Sequence, residues 1–271
     1  MVGAMDDGCL LVVAPAGYGK TVAIQQAVEL RGAVTAWHAC RDRDADGGRL
    51  VVSVLEAVRR TVPGAADVLL DELGGGGEAV DPSTAAQALV ADLERLLVEP
   101  LVLVLDDVER LGDAPGAMAV LGALLQGAGG PLRLVVASRR RPALKLAKLT
   151  ASGRVVELGE ADLVFTAEEC AAVLAARMDR EPSDAEVEAT MSRTLGWPLG
   201  VALGAEGLDA AAATESLEQF LVEEVLDELD DPARAALLAS SVVDELTPAM
   251  LAALELPAAT LEAATRLGLS L

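Results

Sequence analysis

Leu10-Leu-Val-Val-Ala-Pro-Ala-Gly-Tyr-Gly-Lys-Thr21 runs from a valine-rich apolar segment, through a Pro/Gly turn, into the first residues of a helical pattern. Buried strand, pliable loop, helix N-terminus: that order is the order of a phosphate-binding loop. Gly17 and Gly19 let the backbone curl so that successive N–H groups turn toward phosphate oxygens. The helix that follows adds its own unpaired N–H groups and the positive end of its dipole. In this reading Ala16, Gly17, Tyr18, Gly19, Lys20, Thr21 and Val22 bind a nucleotide. Lys20 reaches the β- and γ-phosphates, and the Thr21 hydroxyl ligates Mg²⁺. Ala14 stands where the G-x-x-x-x-G-K-[ST] pattern usually has its first glycine.

The stretch that turns this loop into a nucleotide site lies downstream. Leu101-Val-Leu-Val-Leu105 is a continuous apolar run, the mark of a strand buried on both faces in a parallel sheet, and it ends in Asp106-Asp107. A carboxylate at the C-terminal edge of a strand neighbouring the loop strand can hold Mg²⁺ through a water, a role that falls to Asp106. Asp107 then sits beside the γ-phosphate, where an acid orients or activates the attacking water. Leu132-Arg-Leu-Val-Val-Ala137 is a further buried strand, followed by Ser138-Arg139-Arg140-Arg141-Pro142. Arg139 is placed to read the γ-phosphate, being always charged and forked toward phosphate oxygens. Arg140 and Arg141 read as a solvated basic turn.

Between these stretches the pattern alternates. Thr21 to Arg31 reads as a helix stopped by Gly32, and residues 33–38 as a strand. Residues 41–48 read as a polar turn, and Leu50, Val51, Val54, Leu55 and Val58 recur at helical spacing. Gly74 to Gly77 reads as a flexible loop. Asp81-Pro82-Ser83 opens a helix with Ala86, Leu89, Val90, Leu93, Leu96 and Leu97 on one face, broken at Glu99-Pro100. Helix Pro115 to Gly127 and strand Arg154 to Leu158 complete an alternating α/β set, which predicts a parallel sheet with helices on both faces. From Leu163 strand signals largely stop. Thr166-Ala-Glu-Glu169 and Ser183-Asp-Ala-Glu186 are capping boxes, and Gly196-Trp197-Pro198 ends one helix and starts another. Helices near 232–241, 248–254 and 258–267 form a compact trio, with Gly268 as the last cap and Leu269 to Leu271 as the start of a strand.

Charge excludes some functions. Of 271 residues, 21 are Lys or Arg and 43 are Asp or Glu, a net charge of −22. Residues 1–162 carry −6 of it and residues 163–271 carry −16. A surface that tracks a nucleic acid needs a basic face, so direct nucleic-acid binding by this chain is not expected. No apolar run approaches the ~20 residues that span a bilayer, and Met1 to Gly8, with Asp6 and Asp7 and no basic residue, does not read as a signal peptide. A cytoplasmic protein is expected. Cys9, Cys40 and Cys170 lack metal-ligand spacing and read as reduced, partly buried thiols. His38, the single histidine, excludes histidine triads and reads as a packing residue.

With these residues in place, the chain resembles the STAND class of P-loop ATPases, most nearly the ATPase module of MalT-like, LuxR-type transcriptional regulators. The matching stretches are Ala14 to Thr21, Leu105-Asp-Asp107, Ala137-Ser-Arg139, Leu163 to Glu169, Leu195-Gly-Trp-Pro-Leu199 and Phe220-Leu-Val-Glu-Glu-Val225. The resemblance implies a P-loop nucleotide-binding domain over residues 1–162, an all-α helical domain over 163–219 and a partial winged-helix domain over 220–271. It implies ATP/ADP and Mg²⁺ as ligands, contact of Pro198 with the adenine side, and a switch in which ADP holds a closed monomer and an inducer together with ATP opens it toward oligomers. A protein partner or self-association through the helical and winged-helix part follows from the same likeness. Three departures stand against it. Met1 to Gly8 lacks the usual arginine-bearing segment, the winged helix would continue beyond Leu271, and the helical-repeat sensor and DNA-binding helix-turn-helix of the family are absent. The chain therefore reads as a fragment, a truncated gene product or a half that works with another chain, and a missing wing would leave apolar surface uncovered near Leu261, Leu267 and Leu269, a partner site or a source of instability. Two other readings are weighed: a scaffold or inactive fragment that keeps nucleotide without turning it over, and a P-loop small-molecule kinase, for which the acidic C-terminal part supplies no arginine lid.

Overall fold

A computed structural model describes residues 8–74 and 81–204, together with 1, 3, 252 and 253. The Gly74 to Gly77 loop, Phe220 to Val225, the helical trio past residue 231 and the last strand therefore lie almost wholly outside the described residues. The chain divides into two compact units, one of residues 1–13 and 20–159, the other of residues 14–19 and 160–271.

The first unit is built on five parallel strands: β1 (Cys9–Val13), β2 (Thr35–Ala39), β3 (Leu101–Asp106), β4 (Leu132–Ser138) and β5 (Val155–Leu158), ordered β2-β3-β4-β1-β5. Side chains alternate across the pleat. Leu101, Leu103, Leu105, Leu134 and Val136 join one apolar cluster with residues of three helices, α2 (Gly47–Thr61), α4 (Pro82–Leu96) and α5 (Pro115–Gly127). The intervening Leu10, Val12, Val102, Val104 and Val135 are equally buried on the opposite face. Both faces being covered is why β3 reads as an unbroken apolar run. Each such side chain removed from water contributes roughly 1.5–3 kcal/mol before chain entropy is counted.

The order corrects one expectation. β3 is not the neighbour of the loop strand β1, because β4 pairs with both and lies between them. The crossover through α5 returns β4 to the β1 edge of β3, so Asp106 stands two strand spacings, about 10 Å, from β1.

Several local readings also shift. Residues 41–48 hold a 3-10 turn (Asp42–Ala45) and the start of α2, whose N-cap Asp46 accepts a hydrogen bond from the Arg49 amide at 2.9 Å. A Cβ on Gly47 would fall 2.7 Å from the Gly116 carbonyl, so only glycine lets α2 and α5 approach there. A short helix, α3 (Asp67–Gly74), follows α2 in a stretch to which the sequence pattern assigned no element. α4 ends at Leu96, before Pro100, and Leu96 is 46% exposed, off the buried face to which the spacing assigned it. The remaining helices of this unit are α1 (Lys20–Arg31) and α6 (Ala147–Ala151). The cysteines are free and fully buried. Among the described residues no helix is long and apolar enough to cross a membrane.

In the second unit, α7 (Ala167–Met178) and α8 (Asp184–Thr194) open on the two capping boxes, with hydroxyl and carboxylate each reaching the other end's amide. Pro198 begins α9 (Pro198–Gly204). Cys170, Leu174 and Val201 make the small core of the three helices.

Candidate nucleotide site

In the first unit, the carboxylates and cations singled out in the sequence collect at the C-terminal ends of the strands. Lys20 opens α1 and is only 8% exposed. Burial holds its ammonium below the ordinary lysine value. The carboxylates of Glu109, Asp106 and Asp107 push back toward the charged form, and the nearby Arg139 adds to the depression. Thr21 donates its hydroxyl to Asp106 Oδ2 at 2.8 Å, and Asp106, 3% exposed at the last position of β3, also accepts the Asp107 amide at 3.0 Å. A hydroxyl and a carboxylate in direct contact are two hard oxygen donors, which fit a magnesium ion between protein and phosphate.

Asp107 leaves the strand in the left-handed region, φ 53° and ψ 40°. Asp and Asn tolerate this conformation better than most side chains because they bond locally. Burial, then the charges of Asp106 and Glu109, raise its pKa above the ordinary carboxylate range. A carboxylate so placed takes a proton from water more readily than a solvated one.

Arg139 follows β4 and is held by a residue the motif reading missed. Glu109 accepts the Arg139 amide at 3.0 Å and pairs with its Nε at 3.1 Å. The signal was only three residues past Asp106, but no local pattern ties position 109 to position 139. Arg140 is exposed, as a solvated turn requires, while Arg141 pairs with Glu157 at 3.0 Å. Ser138, fully buried at the end of β4, has a hydroxyl with no hydrogen-bond partner among the described residues. A buried orphan at this edge fits a site that accepts a polar ligand. His38 is more than packing: its Nε2 lies 3.0 Å from Oδ2 of the fully buried Asp44.

In the second unit, the loop residues 14–19 meet the Gly-Trp-Pro stretch. Gly17 has φ +78°, and a Cβ there would fall 2.8 Å from the Trp197 ring. Its carbonyl accepts the Leu199 amide at 3.0 Å. Pro198 approaches the position of a Gly19 Cβ at 3.9 Å. Tyr18 donates its hydroxyl to Glu160, and burial together with that bond raises its pKa. Ala16 lies in the same loop, whereas Val22, on α1 in the first unit, is 55% exposed.

A parallel sheet, a glycine loop leading into Lys20-Thr21, and a Thr21–Asp106 contact at the strand ends define a P-loop ATPase module. Residues 2–136 match the AAA ATPase domain family. The chain is 30% identical over 259 residues to the serine/threonine-protein kinase PknK of Mycobacterium tuberculosis, covering 90% of this chain and 23% of that protein. It is 25% identical over 274 residues to the HTH-type transcriptional regulator MalT of Cronobacter sakazakii, covering 92% of this chain and 29% of that protein. The module is thus MalT-like, and the chain spans about a quarter of the length of these relatives. Among solved structures, it superposes on a Walker-type ATPase of Pyrococcus abyssi with a TM-score of 0.49 at 13% identity, over 96% of this chain and 84% of that one.

Proposed function

We propose that this chain is the ATP/ADP-binding switch module of a larger MalT-like regulator, a slow ATPase whose domains rearrange with the state of the nucleotide. The observation that carries the reading is the buried Lys20 beside the hydrogen-bonded Thr21–Asp106 pair. Residues 16–22 bind the phosphates, and Pro198 meets the adenine side. Mg²⁺, held by Thr21 and Asp106, supplies charge neutralisation on the phosphate oxygens when bound. Asp107 orients the attacking water and accepts its proton, and Lys20 and Arg139 stabilise the charge that develops on the transferred phosphoryl group.

In the same reading, residues 1–162 are the nucleotide-binding domain, 163–219 the helical domain and 220–271 a partial winged helix. The acidic second half, −16 over residues 163–271, favours protein partners or self-association over nucleic acid.

The test is to purify the chain, denature it and identify any released nucleotide by chromatography, then follow phosphate release. Stoichiometric ADP and slow turnover abolished by Asp107→Asn, with binding retained, is the expected result. A protein that carries no nucleotide and takes up no ATP·Mg overturns the reading. Binding without any turnover leaves a nucleotide-holding scaffold in its place.

A further inference from the structure

The contact between Glu109 and Arg139 belongs to neither half of the phosphate-loop signature. Glu109 spends Oε2 on the Arg139 main-chain N–H at 3.0 Å and Oε1 on the Nε of the same residue at 3.1 Å. One carboxylate thus brackets one residue at backbone and side chain, fixing both where the chain leaves β4 and how the guanidinium departs from it. The two side chains are 11% and 18% exposed, so solvent screens the pair weakly. Ser138, the residue before Arg139, pairs in register with Val13 of β1, so Arg139 leaves the sheet at the strand-end edge where Lys20 opens α1. Two cations at one sheet edge repel, and Glu109 is a carboxylate in direct contact with one of them.

We propose that Glu109 is a positioning residue for γ-phosphate recognition: it holds Arg139 in place at the strand-end edge where Lys20 opens α1 before nucleotide arrives, and so sets the preference for a triphosphate over a diphosphate. The inference rests on the nucleotide-binding reading above and assigns the residue that makes its discrimination. Loop N–H groups and Lys20 serve diphosphate and triphosphate alike, whereas a second cation at this edge, already oriented by Glu109, gains a phosphate oxygen only from the third phosphate. Orienting that cation in advance removes the cost of ordering a long side chain at binding.

The experiment is titration of the full chain with fluorescent N-methylanthraniloyl ATP and ADP in the presence of Mg²⁺, for the wild type, Glu109→Gln, Glu109→Asp, Arg139→Ala and the Glu109→Gln/Arg139→Ala double variant. Glu109→Gln should weaken ATP about tenfold while leaving ADP within about twofold, the scale of one charge-assisted hydrogen bond. Arg139→Ala should do the same, and the double variant should be no worse than Arg139→Ala, because Glu109 acts through Arg139. Glu109→Asp keeps the charge and should recover part of the preference. Tighter ATP binding in Glu109→Gln would mean that Glu109 competes with phosphate for Arg139, and would overturn the proposal. So would additive losses in the double variant. If Glu109→Gln loses ADP as well, Glu109→Asp decides: a loss confined to ATP supports the role and an equal loss of both nucleotides ends it. A wild type that binds neither nucleotide removes the site reading itself. A wild type that binds both, with a ratio that Glu109→Gln leaves unchanged, removes only the role of Glu109.

Discussion

Asp44 and Asp106 are both buried carboxylates at the C-terminal side of adjacent strands, β2 and β3, and they are satisfied to different degrees. Asp44 is enclosed by its own neighbourhood: the Arg41 amide at 2.9 Å, His38 Nε2 at 3.0 Å, the Ser53 hydroxyl at 3.4 Å and Arg43 Nε at 3.9 Å. These four donors, three of them nitrogens, occupy both of its oxygens. Asp106 has two partners, the Asp107 amide on Oδ1 and, on Oδ2, the Thr21 hydroxyl, which can turn and present a lone pair of its own. Both carboxylates are buried. What separates a structural clasp from a candidate metal site is how fully neighbouring donors already occupy the carboxylate.

The comparison can be broken most directly at Asp44. Asp44→Ala leaves an amide, a ring nitrogen and a hydroxyl without their acceptor, and should destabilise the chain by about 3 kcal/mol. Chemical denaturation measures this, and a loss under about 1 kcal/mol would show that the clasp does not hold the β2 end. Next in size is Asp106→Ala, for which Mg²⁺-dependent nucleotide affinity should fall about a hundredfold, or roughly 2.7 kcal/mol. Affinity measured in EDTA should move far less. Equal losses with and without Mg²⁺ would put Asp106 in the same structural class as Asp44.

His38→Ala sharpens the contrast from the other side. It removes one partner of a buried carboxylate and should cost about 1.5 kcal/mol in stability, with nucleotide affinity unchanged in calorimetric titration. The smallest effect is expected at Asp107. Its pKa is raised in the folded chain, so the folded state binds the proton more tightly than the unfolded state. Wild-type stability should therefore fall as pH rises from the ordinary carboxylate range through the raised folded value. Asp107→Asn, which also tolerates φ 53°, should gain roughly half a kcal/mol at neutral pH. Thermal melts across pH should show that gain fading as pH drops through the carboxylate range, where Asp107 is protonated in both states.

Most of the fold was legible because its signals are local. Helix α5 begins and ends where its proline and glycine place it, and α7 and α8 open at their capping boxes. β3 announced itself by an apolar run that only a doubly covered strand can carry. The candidate site was legible where chemistry follows the chain directly, at residues 16–22 and at Asp106-Asp107. It was not legible at Glu109, His38, Asp44 or Ser138, where one partner lies in another element or, for Ser138, where only tertiary burial makes a common hydroxyl unusual.

Element order, the phosphate loop and the acidic strand end are properties of short segments, and the sequence by itself determined them. Turn chemistry, side-chain period and capping act over a few residues. Tertiary structure alone decided that β4 stands between β1 and β3, that Thr21 meets Asp106, that Glu109 clasps Arg139 and that Trp197 covers Gly17. Each of these depends on strand order or on a contact between residues tens of positions apart, and no local preference specifies which distant partner a buried group will find.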